Sequence, residues 1–152
     1  MNMTNGLTVL FVEDDPVVLA AYGNRLRQEG FLIEPARDGL EAIKLLTVLT
    51  PHVVVLDLLL PKFNGEEVLK FIHNQPRLEA VPVIILSQTS ILDAAQEPLL
   101  ERAHRRLLKE TCTFPMMLQA IHEVLAITPE KDHVFLMRQP DGKLVKFDPA
   151  TV

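Results

Sequence analysis

The run His52-Val53-Val54-Val55-Leu56-Asp57 restricts the fold more than any other stretch of the chain. Its apolar residues are consecutive instead of alternating. A strand built from them must be covered on both faces, as at the centre of a parallel sheet. Parallel neighbours need crossover connections, usually helices, and amphipathic stretches do alternate with apolar runs along most of the length. Leu7 to Val12 is an apolar run that ends in Glu13-Asp14-Asp15-Pro16, where Asp15 suits a helix cap and Pro16 the first helical position. The helix that follows carries Val17, Leu19, Ala20 and Leu26 and stops near Gly30. A short strand, Phe31 to Glu34, is expected to end at Pro35. Asp38 caps a second helix with Glu41 three residues on; Ala42, Ile43, Leu45 and Leu46 form its buried stripe and Pro51 closes it. A loop with Pro61 and Gly65 leads to a helix from Glu66 to Asn74. Val81 to Leu86 reads as a fourth strand, part of Ile91 to Arg102 as a short helix, and Arg105 to Leu108 as a fifth, more polar strand. Phe114 to Leu125 is a helix with Met117, Leu118, Ile121 and Leu125 on one face. This repetition predicts right-handed crossovers and a three-layer α/β sandwich.

The 152 residues suffice for one domain with its own core. Hydrophobic residues make up 48% and charged residues 23%, which excludes a disordered chain. No apolar run approaches the ~18 residues needed to span a bilayer, and no basic stretch precedes an apolar core at the N-terminus, so a cytoplasmic location is expected. Cys112, the single cysteine, can form no internal disulfide. A net charge of −5 argues against a protein wrapped in nucleic acid. Beyond Thr128-Pro129 the rhythm breaks: His133 to Arg138 and Leu144 to Phe147 flank Pro140-Asp141-Gly142, a hairpin signal.

In an open parallel sheet the chemistry gathers at the carboxyl ends of the strands. Glu13 and Asp14 end the first strand, Asp57 the third and Ser87 the fourth, and Lys109 follows the fifth. Each has an ordinary explanation alone: helix-start acids, a turn aspartate, a turn hydroxyl, a solvated lysine. Their shared rim does not. Three close carboxylates repel one another and raise one another's pKa unless a cation sits among them. Magnesium suits such a set, because it takes oxygen ligands and keeps waters and phosphate oxygens in its octahedron. A carboxylate held there can accept a phosphoryl group, whose charge magnesium and a lysine neutralise.

The stretches FVEDDP, VVVLDLLLPKFNG, VPVIILSQTS and LLKE, in that order over residues 7–126, resemble the receiver domain of bacterial two-component response regulators. The resemblance implies a five-stranded parallel sheet of flavodoxin-like order 2-1-3-4-5 and a receiver over 1–128, to which the hairpin signal adds a C-terminal β-hairpin extension over 129–152. It implies that Asp57 is the phosphoacceptor, Glu13 and Asp14 the acidic pair, Ser87 the switch hydroxyl and Lys109 the phosphate-contacting lysine. Asp14, Asp57 and the backbone carbonyl of Leu59 would bind Mg2+ directly, with Glu13 acting through water. The implied partners are a sensor histidine kinase or phosphotransfer protein and an unidentified downstream protein.

Three positions depart from the family pattern. Gln88 stands where a small residue usually follows the switch hydroxyl. Arg106 replaces the aromatic that swings inward on activation, and an unpaired arginine cannot enter an apolar slot cheaply. Glu110 replaces the proline after the lysine, so that bond, if cis in receivers, is expected to be trans or strained here. Arg102, His104, Arg105, Arg106 and Lys109 fall on the family's output face and read either as a charge-protected edge or as a docking site for an acidic partner. The segment 129–152 is too short for a DNA-binding module with its own core, so no direct DNA binding is expected; the hairpin or the output face could instead join two copies. The leading expectation is a stand-alone receiver that signals by protein contact. A phosphorylation-independent interaction module is the alternative. An aspartyl-phosphate hydrolase would need a second acid where Leu59 stands, and Leu59 predicts slow dephosphorylation.

Overall fold

The computed structural model describes residues 6–88, 103–127, 135–138, 140–142 and 144–147. Five strands form one parallel sheet: β1 (Thr8–Val12), β2 (Leu32–Ala36), β3 (Val53–Leu56), β4 (Val83–Ser87) and β5 (Arg105–Leu108), in the order β2-β1-β3-β4-β5. The helices are α1 (Pro16–Gln28), α2 (Gly39–Val48), α3 (Gly65–Asn74) and α4 (Phe114–Ile127). The helix expected within Ile91 to Arg102 lies outside the described residues. Phe135–Arg138 (β6) and Leu144–Phe147 (β7) pair antiparallel in a separate two-stranded ladder.

Strand alternation divides the core into two. Val9, Phe11, Val53, Val55, Ile84 and Leu86 face α1 and α4, where they meet Leu26, Met117, Ile121 and Val124. Leu10, Val12, Val54, Leu56, Val83 and Ile85 face α2 and α3, against Ala42, Leu46, Val68, Leu69 and Ile72. Val53 to Leu56 are all fully buried. This is why the central run needs no polar face, and the three layers follow from it.

The helix starts follow their caps. Asp15 accepts the Val17 N–H at 2.9 Å, Asp38 the Glu41 N–H at 2.7 Å and Asn64 the Glu67 N–H at 3.1 Å. At the far end of α2, Arg77 donates to the carbonyls of Leu46 and Leu49 that the helix leaves unpaired. Pro35, expected to end the second strand, lies within β2 opposite Phe11. Leu32 N–H donates to Leu7 and Ala36 accepts from Glu13, so residues 32, 34 and 36 form the ladder and Pro35 turns its missing donor outward. On an edge strand that position loses nothing.

Candidate functional site at the carboxyl edge of the sheet

Each functional side chain lies one step past its strand or at its last residue, and the backbone ladder puts it there. Asp57 N–H donates to the Val12 carbonyl at 3.0 Å, Glu13 N–H to Ala36 at 2.9 Å and Lys109 N–H to Ser87 at 2.9 Å. The ladders of β1, β3, β4 and β5 therefore end together, and Glu13, Asp57, Ser87 and Lys109 converge on one rim.

Lys109 is the hub. Its Nζ lies 2.8 Å from Asp57 Oδ2, 2.9 Å from Glu13 Oε1 and 2.8 Å from Glu13 Oε2. Asp57 Oδ1 accepts the Leu59 N–H at 3.0 Å and Glu13 Oε1 the Asp15 N–H at 3.1 Å. Glu13 is fully buried, Asp57 is 3% exposed, and Asp14 is open to solvent. Burial pushes the Glu13 carboxyl up to about 7, against the pull of its bonds from Lys109 and Asp15. Burial alone would lower the Lys109 ammonium, but its bonds to Asp57 and Glu13 outweigh that and hold it above the ordinary lysine value. One ammonium thus serves two buried carboxylates, and the rim has room in its charge balance for a second cation.

The donor set fits a hard divalent ion. Glu13, Asp14 and Asp57 each offer an oxygen, all within 4.8 Å of one another, and oxygen donors are what magnesium takes. Ser87 adds a further signal. Its side chain is 1% exposed and its Oγ has no hydrogen-bond partner among the described residues. A buried orphan hydroxyl costs stability, and here it faces a rim suited to an oxygen-rich group. The loop after Asp57 folds back tightly: Gly65 N–H donates to Leu58 at 3.0 Å, and a Cβ on Gly65 would lie 2.3 Å from the Asp57 carbonyl oxygen. Only glycine permits that approach.

The remaining expected residues spread out. Leu59 is 59% exposed beside Asp57, and Gln88 is exposed just past Ser87. Among the described residues, the basic side chains of β5 point in different directions. Arg105 pairs with Glu123 of α4 at 3.1 Å, and the alternation of β5 turns the exposed Arg106 to the other face of the sheet. His104 turns inward, its Nδ1 accepting the Val83 N–H at 3.2 Å. Burial, followed by the nearby Arg105 charge, holds its ring below the usual histidine range, so it adds no cation at neutral pH. Arg102 lies outside the described residues. The Lys109–Glu110 bond is trans, like every described peptide bond. Sequence reasoning missed the bond from the Tyr22 hydroxyl to the Cys112 carbonyl, 3.1 Å, which ties α1 to the turn after Lys109. No local pattern signals a contact between residues so far apart in the chain.

A family model described as the response regulator receiver domain matches residues 9–122. The gliding motility regulatory protein of Myxococcus xanthus is 30% identical over 115 residues, 76% of this chain and 15% of that protein. The chain spans well under two thirds of the length of the curated relatives it matches. Among solved structures, the signal receiver domain of a signal transduction histidine kinase from Syntrophus aciditrophicus superposes with a TM-score of 0.70 at 26% identity, covering 78% of this chain and 89% of that one. The receiver domain of the sensor histidine kinase PA1611 from Pseudomonas aeruginosa, solved with a magnesium ion in its active site cleft, gives 0.71 at 23% identity, covering 80% and 98%. At that identity the likeness is one of fold.

Proposed function

Because the chain belongs to the response regulator receiver family of two-component systems, whose general function is phosphoryl acceptance, we propose that Asp57 is its phosphoacceptor. In this reading Asp14, Asp57 and the Leu59 carbonyl hold Mg2+, with Glu13 acting through water. Bound magnesium supplies charge neutralisation for the entering phosphoryl group. An Asp57 oxygen attacks the donor phosphorus as the bond to the donor histidine nitrogen breaks, and the electron pair stays with that nitrogen. Lys109 releases part of its hold on Asp57 and Glu13 and pairs with phosphoryl oxygens. Ser87 Oγ donates to one of them and so registers the modification. The observation that carries the reading is the single ammonium bridging two buried carboxylates beside an orphaned buried hydroxyl.

The donor is a sensor histidine kinase or phosphotransfer protein, and the output is contact with another protein. We read residues 1–128 as a receiver with a 129–152 extension, acting in the cytoplasm. No helix among the described residues is long and apolar enough to cross a membrane. Intact-mass spectrometry after incubation with acetyl phosphate and magnesium tests the proposal. One added phosphoryl group, absent in Asp57→Asn, is expected; no addition to the wild type overturns it.

A phosphorylation-independent interaction module is the second reading. It is favoured by the trans Lys109–Glu110 bond and by the exposed Arg106 where receivers carry a switching aromatic. Partner affinity that Asp57→Asn leaves unchanged would select it.

A further inference from the structure

The loop that follows Asp57 is gripped from a second side, by the start of α2. The Leu40 N–H donates to the Lys62 carbonyl at 3.0 Å, and the Gly39 N–H reaches the Pro61 carbonyl at 3.4 Å. Both are first-turn amides, which a helix cannot satisfy internally. The two segments touch so closely that a Cβ on Gly39 would lie 1.5 Å from the Phe63 carbonyl oxygen and 2.9 Å from that of Lys62. Both obstacles are backbone and cannot swing aside. Glycine is among the weakest helix formers, so the contact, and not the helix, accounts for Gly39 at this position.

The loop itself is held in an unfavourable shape. Lys62 has φ 45° and Phe63 φ 57°, two adjacent non-glycine residues in the left-handed region. Such conformations persist only where surrounding structure imposes them. The amides of α2 on one side and Gly65 against Asp57 on the other are the groups in place to do so.

We infer that the first turn of α2 positions the backbone between Leu58 and Phe63, and that Gly39 is a positioning residue for magnesium binding through the Leu59 carbonyl. The inference rests on the proposed magnesium site. It adds a link from the β2–α2 side of the molecule to the ion that the acidic residues alone do not provide.

Titration of the full chain with magnesium chloride by calorimetry tests it. Wild-type binding that Asp14→Asn abolishes defines the site. Gly39→Ala is expected to bind about tenfold more weakly, at a temperature where circular dichroism shows it folded. Gly23→Ala, whose added Cβ meets nothing nearer than 3.7 Å, is expected to bind as the wild type does. A glycine with only a structural role would lower the melting temperature and leave the affinity of the folded protein unchanged, and that result overturns the inference. If Gly39→Ala does not fold, the wild type decides. By reciprocity magnesium must slow exchange of the Leu40 amide, on the order of fivefold or more, and leave the Phe31 amide at the opposite edge of the sheet unchanged. Equal Leu40 exchange with and without the ion overturns it. Failure of the wild type to bind magnesium overturns both this inference and the reading beneath it; binding with an indifferent Gly39 overturns the inference alone.

Discussion

The two ends of the sheet solve the same problem with opposite means. At the amino edge, His52 and His104 each precede a strand and close the ladder to its neighbour. The His52 N–H donates to Thr8 O and its Nδ1 accepts the Thr8 N–H, both at 2.9 Å. His104 repeats the arrangement with Val83 at 2.9 and 3.2 Å. In both rings Nδ1 closes a backbone amide at the start of the sheet. At the carboxyl edge the strands end in two buried carboxylates, one shared ammonium and a hydroxyl with no hydrogen-bond partner among the described residues. The amino edge closes its outermost amides on histidine nitrogens; the carboxyl edge gathers charge and a buried hydroxyl where a ligand can sit, as sites that bind and react usually do.

The deepest break removes what both edges stand on. Ile84, fully buried in the middle of β4, should cost about 2–5 kcal/mol as Ile84→Ala, read as a lower urea midpoint with unchanged slope. Next comes the amino edge alone. His52→Ala strips the acceptor from the Thr8 N–H and should destabilise by roughly 1–3 kcal/mol, whereas His52→Asn, which keeps an acceptor, should lose less. If the two variants lose equally, the hydrogen bond is not what the histidine contributes.

The carboxyl edge should respond with the opposite sign. Ser87→Ala removes a buried hydroxyl with no hydrogen-bond partner among the described residues, so urea denaturation in magnesium-free buffer should show a gain of up to about 1 kcal/mol. A loss would mean that the Ser87 hydroxyl is satisfied in the folded protein. The smallest effect is one of pH. The folded His104 ring binds its proton less readily than the ordinary value of 6.5. Between the folded and unfolded values the unfolded chain therefore carries more protons, and the stability His104 contributes falls as pH drops below about 6.5. The difference in unfolding free energy between wild type and His104→Asn, followed from pH 7.5 to 5, isolates that contribution from the carboxylates. The wild type's advantage should shrink toward acid, and a constant difference would contradict the neutral-acceptor role.

Much of the rim was legible in the sequence because apolar runs stop abruptly at charged residues, and in a parallel sheet such stops share a place. Glu13, Asp57, Ser87 and Lys109 were each found that way. The basic run at 104–106 divides for a physical reason. Neighbours in sequence on a strand face opposite sides, so Arg105 and Arg106 separate, and His104 is spent on a backbone amide. Pro35 was misplaced because a proline's cost depends on which way its nitrogen faces, and only the strand order decides that. The left-handed pair Lys62-Phe63 carried no glycine to announce it. The groups that hold it lie away from it in sequence, in the first turn of α2 and at Gly65.

The central claim is that the carboxyl edge of the sheet takes up a phosphoryl group at Asp57. Acyl phosphates are reduced by borohydride, which converts a phosphorylated aspartate to homoserine, and peptide mass mapping then locates it. After incubation with acetyl phosphate and magnesium, homoserine should replace Asp57 and no other acid, and chelating the metal should abolish it. Homoserine at Asp14 or Glu13's neighbour Asp15, or none anywhere in a protein that binds magnesium, would contradict the account.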